Sequence, residues 1–163
     1  MKKLFLFIVS AIAVTGYFAC SKSTPQSSVP TCMATPPAQD SSALIKFAGD
    51  TIPLTKDTSG LYFHIIDSGS ASLKPQSFNR LVVTYVARII PTNVTFDSAV
   101  NSDLNSTVLG DLIEGWQIGL PKIGVGGHIQ LFIPSALAWG CTGAGTVPAD
   151  APVFFDIQLV QVN

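Results

Sequence analysis

The stretch HIQLFIP, His128 to Pro134, alternates strictly, with Ile129, Leu131 and Ile133 on one side and Gln130 and Phe132 on the other. A two-residue period is the pleat of a β-strand, and a one-sided apolar stripe commits the chain to burying one face of a sheet. Four further stretches support the same commitment. VFFDIQLVQV (Val153 to Val162) sets Phe155, Ile157, Leu159 and Gln161 on one face, and RLVVTYVARII (Arg80 to Ile90) is rich in β-branched residues and is stopped by Pro91. GLYFHIID (Gly60 to Asp67) runs into the turn signal Ser68-Gly69-Ser70, and VTFDS (Val94 to Ser98) reads as a short edge strand.

Between these runs one stretch carries a clear helical signature. In DLIEGWQIGLPKI, Ile113, Trp116 and Leu120 fall at i, i+3 and i+7, and Pro121 ends the run. Antiparallel strands with one short helix over one face make an α+β domain. Domains commonly run to roughly 100–150 residues, so the 163 residues suggest a single one.

The net charge of −1, with 12% charged residues and no Lys/Arg cluster, argues against nucleic acid as a partner, because phosphate binding needs a basic face. His64 and His128 lack ligand spacing and no Cys/His cluster exists, so neither a metal nor another cofactor is expected. The beginning of the chain departs from the rest. Lys2 and Lys3 precede an apolar run from Leu4 to Val14, too short for a membrane span of about 20 residues, which is the layout of a secretory signal peptide. The run leads to Phe18-Ala19-Cys20, which resembles a bacterial lipobox; that resemblance implies cleavage after residue 19, lipidation of Cys20 and attachment to a membrane. Residues 20–42, dominated by Pro, Ser and Thr, read as a flexible tether to a folded domain over residues 43–163. Cys32 and Cys141 remain, and the sequence leaves a disulfide and two free thiols equally open.

A set of short motifs occurs in a fixed order over Leu61 to Val162: Tyr85, Phe96-Asp97-Ser98, Leu112-Ile113-Glu114-Gly115-Trp116, Gly126-Gly127, Ile133-Pro134, Ala138-Trp139-Gly140, Val147-Pro148 and Phe154-Phe155-Asp156. Together they resemble the FKBP-type peptidyl-prolyl cis-trans isomerases. The resemblance implies an antiparallel sheet of five or six strands wrapped around one short helix, with a shallow apolar pocket between them that takes a proline ring. It implies that Tyr85, Phe96, Asp97, Ile113, Trp116, Trp139 and Phe155 carry the chemistry, with Leu112 and Val147 binding substrate. Trp116 would be the floor, Trp139 and the loop from Cys141 to Thr146 the rim, and the Ile113 backbone N–H a donor to the substrate carbonyl. Read singly, each residue has a plainer use: Trp116 and Phe155 as core, Tyr85 as a core phenol and Asp97 as a turn residue.

Those residue types suit rotation about an X–Pro bond. The barrier of about 18–20 kcal/mol arises from amide resonance, and no bond is broken, so neither a nucleophile nor a metal is needed. The expectation is therefore an isomerase acting on proline-containing polypeptides in the bacterial cell envelope, anchored through Cys20 with its domain on the periplasmic or outer side. The alternative is a module that holds proline-containing segments without turnover. Two departures from the family pattern bear on that choice: Trp139 stands where a Tyr is usual, and Thr107 where an aromatic often precedes the Leu-Ile-x-Gly-Trp motif.

Overall fold

A computed structural model describes residues 32–104 and 107–163. The expected leader, Cys20 and residues 20–31 of the expected tether lie outside the described residues. The described chain forms one six-stranded antiparallel sheet from β1 (Thr55–Lys56), β2 (Tyr62–Asp67), β3 (Leu81–Ile89), β4 (Val94–Asp103), β5 (His128–Ile133) and β6 (Val153–Val162), in the order β1-β2-β5-β6-β3-β4. The last strand of the sequence lies inside the sheet, paired on both sides, which explains its apolar composition. Phe155 stands opposite Ala87 of β3 and Leu131 of β5.

The alternation of β5 is observed: Ile129, Leu131 and Ile133 are fully buried in one core with Phe155, Ile157 and Leu159. Gln161 does not join them. The register between β3 and β6 shifts where Val82 faces Gln161 and Val83 faces Leu159; past this bulge Gln161 is exposed and Val162 packs against the core. Strand β4 extends to Asp103, five residues beyond the expected Ser98, because an edge strand needs only β3 for its ladder and can be polar on its open side.

The expected helix is present but short. α2 runs from Glu114 to Gly119, and Leu120–Lys122 adds a tighter 3-10 turn, with Pro121 within it. It packs on the sheet through its glycines. A Cβ on Gly115 would come within 2.5 Å of the Ile133 side chain, and one on Gly119 within 2.6 Å of Leu131. The helix therefore lies against β5 at a distance no larger residue allows. Its far end is tied down by Lys122, whose ammonium donates to Asp57 at 2.8 Å and lies 4.7 Å from the Phe63 ring centroid.

The boundary drawn between tether and domain at residue 42 does not match the structure. A second helix, α1, spans Pro37–Ala48, beginning inside the Pro/Ser-rich stretch with Pro37 in its first turn and ending at Gly49, whose N–H donates to the Ile45 carbonyl. It covers the other face of the sheet. Leu44 and Ala48 are buried there with Tyr62, Ile90, Phe132 and Phe154, and Phe47 packs against them. Phe132, whose position opposite the main stripe had no partner in the strand pattern, is fully buried because α1 supplies one.

Candidate active site

Five aromatic side chains from five parts of the chain converge on the α2 side of the sheet. Tyr85 comes from β3, Phe96 from β4, Trp116 from α2, Phe155 from β6 and Trp139 from the segment between β5 and β6. Phe155 is the hub: its ring centroid lies 5.3 Å from Trp116, 5.8 Å from Phe96 and 6.0 Å from Tyr85. Tyr85 meets Trp116 edge-on at 5.5 Å, and Phe96 meets Trp139 edge-on at 5.7 Å. Edge-to-face packing matches the electropositive rim of one ring to the electronegative face of the next and holds each plane in a set orientation.

The rings enclose a cavity of about 170 Å³ lined by Tyr85, Phe96, Asp97, Leu104, Leu112, Ile113, Trp116, Trp139 and Phe155. Pockets for drug-sized ligands commonly span about 300–1,000 Å³, so this one admits a small ring and not a large cofactor. Its one carboxylate is Asp97, which accepts a hydrogen bond from the Tyr85 hydroxyl at 2.6 Å and one from the Ser98 N–H at 2.8 Å. Burial pushes the Tyr85 phenol up to about 12, and the hydrogen bond to Asp97 and its negative charge add to the shift. The phenol therefore stays protonated and keeps donating to Asp97.

Local structure aims the entrance to α2 at this cavity. The side-chain amide of Gln117 donates to the Gly110 carbonyl at 2.9 Å and to the Leu112 carbonyl at 2.6 Å, bracing the 3-10 turn Leu109–Asp111 and the extended residues that follow. Ile113 then precedes the first turn of the helix, and its backbone N–H has no acceptor among the described residues. The buried indole N–H of Trp116 likewise has none.

Eight of the nine pocket residues singled out in the sequence thus line one cavity. Val147 does not. It is 4% exposed in the main core, because its N–H and carbonyl both bond to Ala144 and close a tight turn that carries the side chain inward. No residue from Cys141 to Thr146 lines the cavity either, which leaves Trp139 alone on that rim. Leu104 was missed: it is the one large apolar residue in the polar run Asn101 to Thr107, and its N–H donates to the Leu81 carbonyl at 2.9 Å, holding it beside the pocket. Leu104 lines the cavity, and Thr107 does not. A larger hollow of about 870 Å³ lies on the opposite face, lined by residues that include Lys46, Arg88, Phe132, Phe154 and Asp156. It collects none of the pocket residues named above, and the smaller cavity is the candidate site.

Comparison with known proteins places this geometry in a class. A family model described as FKBP-type peptidyl-prolyl cis-trans isomerase matches residues 71–160. The chain belongs to the FKBP-type peptidyl-prolyl cis-trans isomerase family. Among curated relatives, the isomerase FkpA of Aeromonas hydrophila is 33% identical over 106 residues, covering 64% of this chain and 39% of that protein. FkpA of Escherichia coli K12 is 31% identical over 118 residues, covering 72% and 43%. The chain thus spans about two-fifths of the length of these relatives. Among solved structures, a peptidyl-prolyl cis-trans isomerase from Pseudomonas syringae superimposes with a TM-score of 0.66 at 25% identity, covering 77% of this chain and 92% of that one. E. coli FkpA superimposes with a TM-score of 0.65 at 28% identity, covering 78% and 59%.

Proposed function

We propose that the domain catalyses cis-trans isomerisation of X–Pro bonds in exported polypeptides, by taking the proline ring into the aromatic cavity and excluding water from the twisting amide. The observation that carries this reading is the closure of five aromatic rings around a cavity of about 170 Å³ whose one carboxylate is already engaged by Tyr85. In a planar amide the nitrogen lone pair is delocalised into the carbonyl, and both planar forms are strongly dipolar. In the twisted transition state that delocalisation is lost, so water stabilises it less than it stabilises the planar forms. An apolar wall that displaces water favours the twisted form relative to both.

Trp116 and Phe155 hold the ring from below and behind, with Tyr85, Phe96, Leu104 and Leu112 around it. The Ile113 N–H, with no acceptor among the described residues, donates to a carbonyl of the bound segment. That bond fixes one side of the prolyl bond while the residue on the other side turns. Tyr85 and Asp97 form a hydrogen-bonded polar pair at the mouth, and with its phenol pushed up to about 12 Tyr85 releases no proton near neutral pH.

The direct test is acceleration of isomerisation in a series of short X-Pro peptides, beside Phe155→Ala. Acceleration that falls with Phe155→Ala supports the cavity as the site. A folded protein that binds such peptides without accelerating them would establish the second reading, a non-catalytic holder of proline-containing segments, which Trp139 in place of the usual Tyr favours.

The proposed setting is the cell envelope, with the chain anchored through a lipid on Cys20. The Lys2-Lys3 start, the apolar run and Phe18-Ala19-Cys20 support it, and a Cys32–Cys141 disulfide fits an oxidising compartment. Metabolic labelling with a radioactive fatty acid tests the anchor. Label absent from the wild type, or kept by Cys20→Ser, would refute it.

A further inference from the structure

The wall made by Trp139 is held from outside the region that matches the family. The segment from Pro134 to Asp150 has little regular structure, only two single 3-10 turns, Ser135–Leu137 and Gly140–Thr142, on either side of Trp139. Residues 32–48 grip it at three points. The Asp40 carboxylate of α1 accepts the Ser135 N–H at 2.7 Å and the Ser135 hydroxyl at 2.8 Å; Asp40 is 8% exposed and Ser135 fully buried. Cys32 forms a disulfide with Cys141, two residues after Trp139. The Thr35 hydroxyl donates to Asp150 at 3.1 Å, and the Asp150 N–H in turn donates to the Gly140 carbonyl at 2.8 Å.

Gly140, next to Trp139, has φ +50°, and a Cβ there would stand 3.2 Å from the Ala34 side chain, so this strand of the N-terminal segment lies directly over the turn that carries the indole. The family match begins at residue 71, and every residue on the gripping side precedes it. The grip is made by residues that precede the family model's match, and it bears on the turns flanking the one rim residue that departs from the family's usual Tyr.

We propose that residues 32–48 are a positioning clamp for Trp139, with Cys32, Thr35 and Asp40 as positioning residues that set how tightly the pocket holds a proline-containing segment. The inference rests on the pocket reading above. Trp139 stands alone on its rim while Trp116, Phe155, Tyr85 and Phe96 keep their own packing, so loosening it is expected to act chiefly on how tightly the segment is held.

The test uses the full chain and a dithiol reductant. One thiolate of dithiothreitol attacks the disulfide, the mixed disulfide closes to the cyclic oxidised reagent, and two electrons and two protons end on Cys32 and Cys141 as free thiols. The first readout is the pair of indole N–H resonances of Trp116 and Trp139, assigned with Trp139→Phe; the second is KM and kcat on an X-Pro peptide. Reduction is expected to move the Trp139 resonance and leave that of Trp116 in place, raising KM roughly three- to tenfold with kcat unchanged. Cys32→Ser is expected to show the moved resonance from the start and no response to reductant, and Asp40→Asn to move it without any change in thiols.

An unmoved Trp139 resonance in a folded protein with two titratable thiols overturns the clamp. Collapse of both resonances on reduction also overturns it, since residues 32–48 then support the whole domain and not one wall. Absence of turnover in the wild type would refute the isomerase reading, while the resonances would still decide the clamp.

Discussion

Phe154 and Phe155 are adjacent in β6, equally buried at 5% and 4% exposure, and point to opposite faces of the sheet. Phe154 packs against Phe132 at 5.0 Å and Phe47 at 5.5 Å, a three-ring cluster beside α1 that lines the larger hollow together with Lys46, Arg88, Gln130 and Asp156. Phe155 also touches three rings, and those rings line the smaller cavity, where Asp97 is the one charged group. Residue type, burial and number of aromatic neighbours do not separate core from site here. What separates them is the setting: the hollow beside Phe154 is edged by charged Lys46, Arg88 and Asp156, whereas α2, lying low on β5 through Gly115 and Gly119, leaves the rings around Phe155 to form a small, mostly apolar cavity.

The sharpest test of that contrast is Phe154→Ala. It should cost about 3–5 kcal/mol of stability, as large-to-small changes at buried aromatic positions do, while kcat/KM measured below the lowered melting temperature stays near the wild-type value. Phe155→Ala should cost a similar amount of stability, since both rings are almost fully buried and both line a hollow, but lower kcat/KM on the order of a hundredfold. Urea unfolding and peptide isomerisation on the same two samples check both, and equal loss of turnover in the two variants would erase the distinction.

Tyr85→Phe is a finer probe of the open face. It removes the hydroxyl that donates to Asp97 and should lower kcat/KM only severalfold, about 1 kcal/mol, with the rings left in place. Its pH signature is specific. Folding raises the Tyr85 phenol from 10.0 to about 12, so its contribution to stability is complete below pH 10 and is lost as the pH climbs from there through about 12. Alkaline unfolding scans should show that loss in the wild type and not in Tyr85→Phe.

The smallest effect belongs to the anchor at the far end of α2. The hydrogen bond from Lys122, helped by Ser59, holds the Asp57 carboxyl at about 2, below its ordinary 3.8. Because this pKa is lowered on folding, the contribution is present above pH 3.8 and disappears as the pH falls toward 2. Asp57→Asn should cost roughly 1 kcal/mol at pH 7 and flatten the acid limb of the stability profile. An unchanged acid limb would place the stabilisation elsewhere.

The sheet was legible because strands buried on one face advertise it by alternation, and the floor and walls of the pocket because Tyr85, Phe96, Ile113, Trp116 and Phe155 recur in a family order. The missed features other than Val147 share one cause, which is that their partners lie far along the chain. Phe132 and Tyr62 look misplaced until α1 covers them, and α1 itself begins in a Pro/Ser-rich stretch whose composition reads as tether. Leu104 is a lone apolar residue among polar ones, and nothing local says that its backbone hooks onto Leu81. Val147 sits in a family motif, yet its backbone pairing with Ala144 decides which way it faces. The outward turn of Gln161 depends on a bulge between two strands that are distant in sequence.

The disulfide between Cys32 and Cys141 joins positions 109 residues apart. It makes one covalent circuit of α1, the first five strands and α2, with β6 as the main element outside it. A protease that cuts an exposed loop within that circuit opens the ring without releasing a fragment. The nicked domain keeps all its strands on a single molecule, and its pieces part only when the sulfur link is broken as well.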